Sequence, residues 1–142
     1  MTYSYVFRDH TADILFEVHA NSSRDICKGA ALALFETMVD PTSVAGTNTF
    51  QVHVDADTIE HLLFDFLSEL IFIKDAEAVI FKDLSVKILE TGDGLELEAE
   101  ITGDHIDLPK HDLKVDVKAV TLHLFKVEEK DGLWNATVLL DI

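Results

Sequence analysis

Three short polar segments carry the side chains of this sequence that could do chemistry. The first is the run 10–13, His-Thr-Ala-Asp, which leads directly into a stretch that alternates like a β-strand. The second lies within residues 110–123 and the third within residues 138–142. Together they offer carboxylates, imidazoles and ammonium groups, which suit cation binding, proton transfer or contact with a charged partner.

Strand alternation predicts where two of the carboxylates lie. Asp13 falls on the polar face of a predicted strand 13–20, and Asp141 on the polar face of a predicted strand 133–142. If these strands are antiparallel neighbours, Asp13 faces Asp141, and the terminal carboxylate of Ile142 follows directly. Carboxylates in one place repel each other unless a cation or a basic side chain lies between them. Oxygen ligands of this kind suit calcium or magnesium rather than zinc.

Two other interpretations of these residues stay open at this point. Each aspartate could simply end a strand in solvent, and spacing alone favours that interpretation. His10 could instead act as a general base with Asp13 in an enzyme. However, the seven histidines are scattered without HExxH spacing, and no oxyanion or substrate motif accompanies His10.

The composition restricts the class of protein. The formal net charge is −16, from 27 acidic against 11 basic residues, so the surface repels phosphate backbones and argues against direct stable binding of nucleic acid. Such a surface suits a basic partner, a divalent cation or solubility alone. Cys27 is the only cysteine, which excludes an internal disulfide and a cysteine-built zinc site. The sequence shows neither the pattern of a signal peptide nor that of a membrane-spanning helix, so we expect a soluble, cytoplasmic protein without a membrane role.

Hydrophobic periodicity predicts two helices. One is capped by Ser22 or Ser23, buries an apolar stripe, and stops at the Asp-Pro-Thr-Ser of residues 40–43. The other begins near Asp57, where Asp57 and Glu60 have the spacing of a capping box.

The remaining segments predict strands. Residues 49–55 alternate, and a hairpin is centred on the Gly-Asp-Gly of residues 92–94. A polar loop is expected at 102–115, then a long strand at about 116–129 that is apolar on both faces, as in the interior of a sheet. A turn at 130–132 leads to the last strand. The order β-α-β-α-β-β-β-β predicts a single α+β domain over residues 1–142, with two helices packed on a mainly antiparallel sheet.

Four motifs, taken together, resemble the archease family. The resemblance covers essentially the whole chain, and its specificity comes from the motifs occurring in order. The family motif VKAVTYH is matched except at Leu122, which leaves the polar positions intact. The motifs are DHTADI at 9–14, DADTIEHLLFDFLSEL at 55–70, KH with VKAVTLH at 110–123, and LLDI at 139–142.

The resemblance implies a non-enzymatic activator of an RtcB-type RNA ligase. Such a ligase joins 2′,3′-cyclic-phosphate or 3′-phosphate ends to 5′-hydroxyl ends in tRNA splicing and RNA repair. The activator promotes guanylylation of the active-site histidine of the ligase and so supports multiple turnover.

The resemblance also implies a metal site. Family members bind one divalent ion, reported as calcium, through residues that match Asp13, Asp141 and Ile142 here; magnesium is the other candidate. This implication outweighs the interpretation that each aspartate only ends a strand.

We expect four further residues to border this site and to act on the partner, with Lys110 or Lys118 balancing its negative charge. They are His10, Lys110, Asp116 and Lys118. The alternatives are a small metal-dependent hydrolase that uses Asp13 and Asp141, and a chaperone-like interaction module.

Overall fold

The chain folds as two antiparallel sheets with two helices, in a computed structural model that describes residues 2–9 and 12–142. A short 3-10 turn, Pro41–Ser43, follows the first helix. The helices are α1 (Ser23–Met38) and α2 (Ile59–Glu77). The strands are β1 (Tyr3–Arg8), β2 (Asp13–Ala20), β3 (Asn48–Ala56), β4 (Val79–Thr91), β5 (Gly94–His105), β6 (Ala119–Val120), β7 (Lys126–Lys130) and β8 (Leu133–Asp141).

The strand order brings distant parts of the sequence together. In the five-stranded sheet the order is β1-β2-β8-β6, and β7 also pairs with β8. The other sheet has three strands in the order β3-β5-β4. Every pairing between these strands is antiparallel, so β2 and β8 are neighbours as the alternation pattern predicts. The α+β fold with two helices on antiparallel sheet is confirmed.

The hydrophobic core is shared by both helices and both sheets. Helix α1 contacts β2 and β4, and α2 contacts β3 and β6. Gly29 allows the close approach of α1 to β2, since a Cβ at this position would lie 2.8 Å from Val18 Cγ1. Phe16 of β2 and Leu140 of β8 are fully buried. Because side chains alternate along a strand, burial of these residues turns Asp13 and Asp141 to the outer face of the sheet.

The predicted helices are confirmed, with one correction at a cap. Ser22 caps α1, and its hydroxyl accepts a hydrogen bond from the Asp25 amide at 3.1 Å. Thr58, rather than Asp57, caps α2 by accepting from the His61 amide at 3.1 Å. The Asp57 carboxylate instead contacts the imidazole Nδ1 of His61 at 2.7 Å, one turn along the helix.

The predicted strand 116–129 is wrong, because the structure forms two short strands there. β6 and β7 are separated by a loop at 121–125 in which Leu124 adopts a left-handed φ of 61°. Both strands pair only with β8 and so lie at the edge of the sheet rather than inside it. The apolar side chains of this segment therefore differ in burial: Val117, before β6, is fully buried, whereas Leu122, in the loop, is exposed.

Two other strand predictions need adjustment. β1 was not expected, since its alternating Tyr3, Tyr5 and Phe7 give only a short pattern at a sheet edge. β5 continues to His105, which shortens the loop that was expected to begin at residue 102. The hairpin turn between β4 and β5 lies at residues 92–93, as predicted.

Within the described residues, no helix is both long enough and apolar enough to cross a membrane.

Candidate functional site

Asp13 and Asp141 face each other where β2 pairs with β8. The two residues are partners in the strand register, with Asp13 half-buried and Asp141 exposed. Directly opposed side chains of antiparallel strands have Cβ atoms about 4.5–5.5 Å apart, so two carboxylates here repel each other. We call this place the Asp13–Asp141 edge. The facing arrangement agrees with the sequence pattern, while the binding of an ion there remains a prediction.

The backbone on either side of this edge is held firmly. Ala119 pairs with Asp141 on the side opposite β2, and the amide of Lys118 donates to the Asp141 carbonyl at 2.8 Å. On the β2 side, Ala12 has a left-handed φ of 65° directly before Asp13. Alanine adopts this conformation at a cost of about 1–2 kcal/mol, and strain of this kind is concentrated at functional sites.

Lys74 supplies a positive charge that sequence reasoning missed. Its ammonium donates to Asp116 Oδ1 at 2.7 Å and to the Val117 carbonyl at 2.8 Å, and it lies 2.8 Å from Asp75 Oδ1. Only 5% of Lys74 is exposed. Burial alone would lower the pKa of Lys74, but the hydrogen bonds to Asp116 and Asp75 outweigh it and raise that pKa. Lys74 therefore stays charged and fixes the segment that leads into β6.

A signal for Lys74 was present in the sequence. Lys74 follows Leu67, Leu70 and Ile71 at the spacing of the buried face of a helix. A lysine on such a face is rarely buried without a partner, which predicts an acceptor from another segment. Here that acceptor is Asp116, which contacts Lys74 although 80% of the Asp116 side chain is exposed.

The residues expected around the edge are not all brought together. Asp116 and Lys118 lie in the segment that leads into β6, and of the two only Lys118 is bonded to the edge, through its amide and the Asp141 carbonyl. Lys110 lies 4.0 Å from Asp107 and lines a different cavity, and no described contact joins it to the Asp13–Asp141 edge. His10 lies outside the described residues.

Asp104 forms a second, separate polar cluster at the end of β5. Its carboxylate accepts hydrogen bonds from the amides of Ala45, Gly46 and Thr47, at 2.8, 2.9 and 2.9 Å. It also lies 3.0 Å from His111 Nε2, and His111 Nδ1 accepts from the Asp107 amide at 2.9 Å. We call this group the Asp104 cluster.

The electrostatics of the Asp104 cluster follow from these donors. Burial by itself would raise the pKa of Asp104, but the Thr47 amide, His111 and the Ala45 amide hold that pKa far below its usual range. Both nitrogens of His111 are engaged within the protein, and its side chain is 2% exposed. The cluster therefore serves to join the loops around residues 45 and 107 to β5, and His111 has a structural role.

The donor set at the Asp13–Asp141 edge fits a hard cation in part. Two aspartates face each other in the strand register there, and oxygen is the ligand type that calcium and magnesium prefer. Among the described residues, no group of three or more histidine, cysteine, aspartate or glutamate side chains is arranged to hold a metal. An ion at this edge would therefore need further oxygens from backbone carbonyls or water, as is common for both metals.

Comparison with known proteins identifies the family. The model of the archease protein family (MTH1598/TM1083) matches residues 5–142. The protein archease of Pyrococcus abyssi is 38% identical over 135 residues, covering 94% of this chain and 95% of that protein. The protein archease of Methanothermobacter thermautotrophicus is 37% identical over 138 residues, covering 97% and 98%.

Solved structures share the fold. The solution structure of Methanobacterium thermoautotrophicum protein 1598 matches with a TM-score of 0.87 and 37% identity, covering 97% of this chain and 98% of that one. A crystal structure from Thermotoga maritima, described as an archease and possible chaperone, matches with a TM-score of 0.60 at 21% identity, covering 95% and 94%; at that identity it supports the fold alone. The match along the chain, in sequence and in strand topology, shows that this protein belongs to the archease family.

Proposed function

We propose that this protein is a non-enzymatic cofactor of an RtcB-type RNA ligase, which promotes guanylylation of the ligase's active-site histidine and so allows repeated turnover. The role would serve tRNA splicing or RNA repair. The supporting observation is the Asp13–Asp141 edge, where two opposed carboxylates are presented at the end of a sheet whose other face is buried.

The overall charge supports a protein partner of this kind. An enzyme that binds RNA ends must offer a basic groove, and a protein with a net charge of −16 is attracted to such a groove. The same charge disfavours direct binding of RNA by this chain. The acidic edge would thus meet the ligase rather than its substrate.

A divalent ion belongs to this proposal. Asp13 and Asp141, with Ile142 beside them, would hold one calcium or magnesium ion, which would offset the repulsion between the carboxylates and supply positive charge for a phosphate or carboxylate of the partner. Lys74 would keep Asp116 in place beside the edge.

A guanylylation assay tests the proposal. Purified ligase, GTP and divalent metal are incubated with and without the protein, and covalent GMP on the ligase is measured. Stimulation by the wild type is expected, with loss of stimulation in Asp13→Asn and Asp141→Asn. Calorimetry with calcium chloride should show one binding event in the wild type and a loss of affinity of at least about tenfold in either variant. Ligase guanylylation that is unchanged by the wild-type protein would refute the proposal.

The hydrolase alternative predicts a different result in the same samples. A metal-dependent hydrolase would turn over a phosphoester in the absence of ligase and would lose that activity in Asp13→Asn. The activator predicts an effect only when the ligase is present.

A chaperone-like role is the second candidate, because several large apolar side chains are exposed. Leu122 is 77%, Leu108 71% and Phe72 64% exposed, and the Thermotoga maritima relative is described as a possible chaperone. Such a role predicts that the protein suppresses aggregation of unrelated unfolded proteins, and that Phe72→Ser weakens this effect while Asp141→Asn does not.

A further inference from the structure

A groove beside the loop 121–125 combines apolar walls with an acidic rim. It measures about 290 Å³ and lies between that loop and the first half of α2. Phe64 of α2 and Phe125 of the loop line it, with ring centroids 5.2 Å apart and planes at 90°. Leu122 lies at the opening and is 77% exposed.

The loop is fixed, although it exposes leucines. The Phe125 amide donates to the Leu122 carbonyl at 3.2 Å, and the Thr121 amide donates to the Leu139 carbonyl at 3.0 Å. Leu124 is 48% exposed and has a left-handed φ of 61°. A branched side chain rarely adopts this conformation, and it is retained where the surrounding structure enforces it. The loop is therefore a preformed surface.

The rim of the groove is negative. Asp57, Glu60 and Asp65 line it together with His61, which contacts Asp57 at 2.7 Å. The next lysine along the chain, Lys126, lies 3.0 Å from Glu128. A second copy of this chain would bring the same charges to the groove, and a nucleic acid would bring phosphates, so both are disfavoured. The charge suits a basic protein segment.

The groove and the Asp13–Asp141 edge are linked through the backbone of β6 and β8. The loop directly follows β6, whose Ala119 pairs with Asp141, and its first residue bonds to Leu139 of β8. A partner that covers this end of β8 would therefore reach the start of the loop as well as Asp141.

We propose that the groove docks a basic segment of the partner protein, with one apolar side chain of that segment inserted against Phe64, Leu122 and Phe125. This inference rests on the proposed function in taking the partner to be the RNA ligase. The groove provides affinity, and the Asp13–Asp141 edge provides activation.

Direct binding and activation, measured in parallel, test the inference. Leu122→Ala should weaken ligase binding about tenfold by calorimetry, as expected for truncating an interface anchor, and should raise the half-saturating concentration for guanylylation equally. Maximal stimulation should be unchanged. Leu133→Ala is the matched control, because Leu133 is 58% exposed at the opposite end of β8 from Asp141. It should bind like the wild type.

A charge reversal tests the rim. Asp65→Lys should weaken binding to the ligase several-fold at low salt, since the partner segment is basic. The control is Glu100→Lys, on the exposed face of the three-stranded sheet. Thermal unfolding of all four variants should match the wild type, because each changed side chain is exposed.

The possible outcomes are distinguishable. If the wild type binds the ligase without activating it, the proposed function fails while the binding data still decide the groove. Wild-type affinity in Leu122→Ala, or tighter binding in Asp65→Lys, overturns the groove. Absence of any ligase binding overturns both proposals, whereas a sedimentation shift showing that Leu122 mediates self-association overturns the groove alone.

Discussion

Asp104 lies near the end of β5 and Asp141 ends β8, and the protein surrounds these two carboxylates very differently. Asp104 is 8% exposed and accepts hydrogen bonds from three backbone amides and from Thr47 Oγ1, with His111 alongside. Asp141 is exposed, and among the described residues no side chain or amide donates to its carboxylate. The carboxylate facing it is another aspartate, Asp13.

The difference shows how a structural carboxylate can be told from one available to a ligand. A carboxylate has about four acceptor positions, and at Asp104 the protein itself fills them. At Asp141 no side chain or amide of the described residues donates to the carboxylate, so its acceptor positions are open to solvent or to a ligand. An acidic residue at a strand end is therefore a candidate ligand only where the fold supplies too few donors.

The largest expected effect is at the edge. Asp141→Ala should reduce stimulation of ligase guanylylation to the level of ligase alone, because it removes half of the carboxylate pair. Its free energy of unfolding should stay within about 1 kcal/mol of the wild type, as for exposed residues generally. Urea denaturation measures this free energy of unfolding. If Asp141→Ala activates the ligase normally, or loses activation only because it unfolds, the Asp13–Asp141 edge would not differ in function from the Asp104 cluster.

Asp104→Ala should give the opposite pattern. Three backbone amides and His111 would lose their acceptor, so the free energy of unfolding should fall by about 3–5 kcal/mol. Stimulation per folded molecule should be unchanged, measured at a temperature where circular dichroism shows the variant folded. A folded Asp104→Ala protein that cannot activate the ligase would place the Asp104 cluster in the functional site.

Lys74→Met sharpens the comparison, because Lys74 links the core to the edge. The apolar isostere keeps the volume but leaves the Val117 carbonyl without its donor, so a loss of about 1–2 kcal/mol is expected. Hydrogen exchange at the Lys118 amide, which bonds to the Asp141 carbonyl, should accelerate more than exchange within β5. Lys74→Gln is the companion variant, since its amide can still donate. Equal exchange in all three proteins would show that Lys74 does not hold the edge.

The smallest expected effect concerns pH. The pKa of Asp104 is lowered by folding, so its stabilising contribution is present above the unfolded pKa of about 3.9 and is lost as the pH falls toward the lower folded value. Stability should therefore decrease below about pH 4 in the wild type and less steeply in Asp104→Asn. Parallel curves for the two proteins, from urea titrations between about pH 2 and pH 5, would contradict this role of Asp104.

The sequence predicts well where one local pattern decides the structure. The apolar stripe of α1, the Ser22 cap and the glycine turn between β4 and β5 depend on neighbouring residues, and each is found as expected. The pairing of Asp13 with Asp141 was also accessible, because alternation sets the face of each strand and antiparallel pairing then sets the partner.

The sequence predicts poorly where a distant contact decides the structure. The segment 116–129 was predicted as one interior strand because it is apolar on both faces, yet Phe125 packs on α2, and the loop around Leu124 divides the segment into two edge strands. Lys110 was expected beside Asp141 because both residues are polar and near strand ends, but the loop around Asp107 directs it to another cavity. Neither outcome has a local signature.

The pairing of β2 with β8 also affects when the site appears during folding. The strands are far apart in the sequence, so their contact requires closure of a long loop, a slow and entropically costly event. The hairpin of β4 and β5, by contrast, needs only a two-residue turn and can form early. Asp13 and Asp141 would thus meet only after most of the chain has folded. Partly folded molecules would lack the Asp13–Asp141 edge, so a partner that recognises this edge would bind only fully folded molecules.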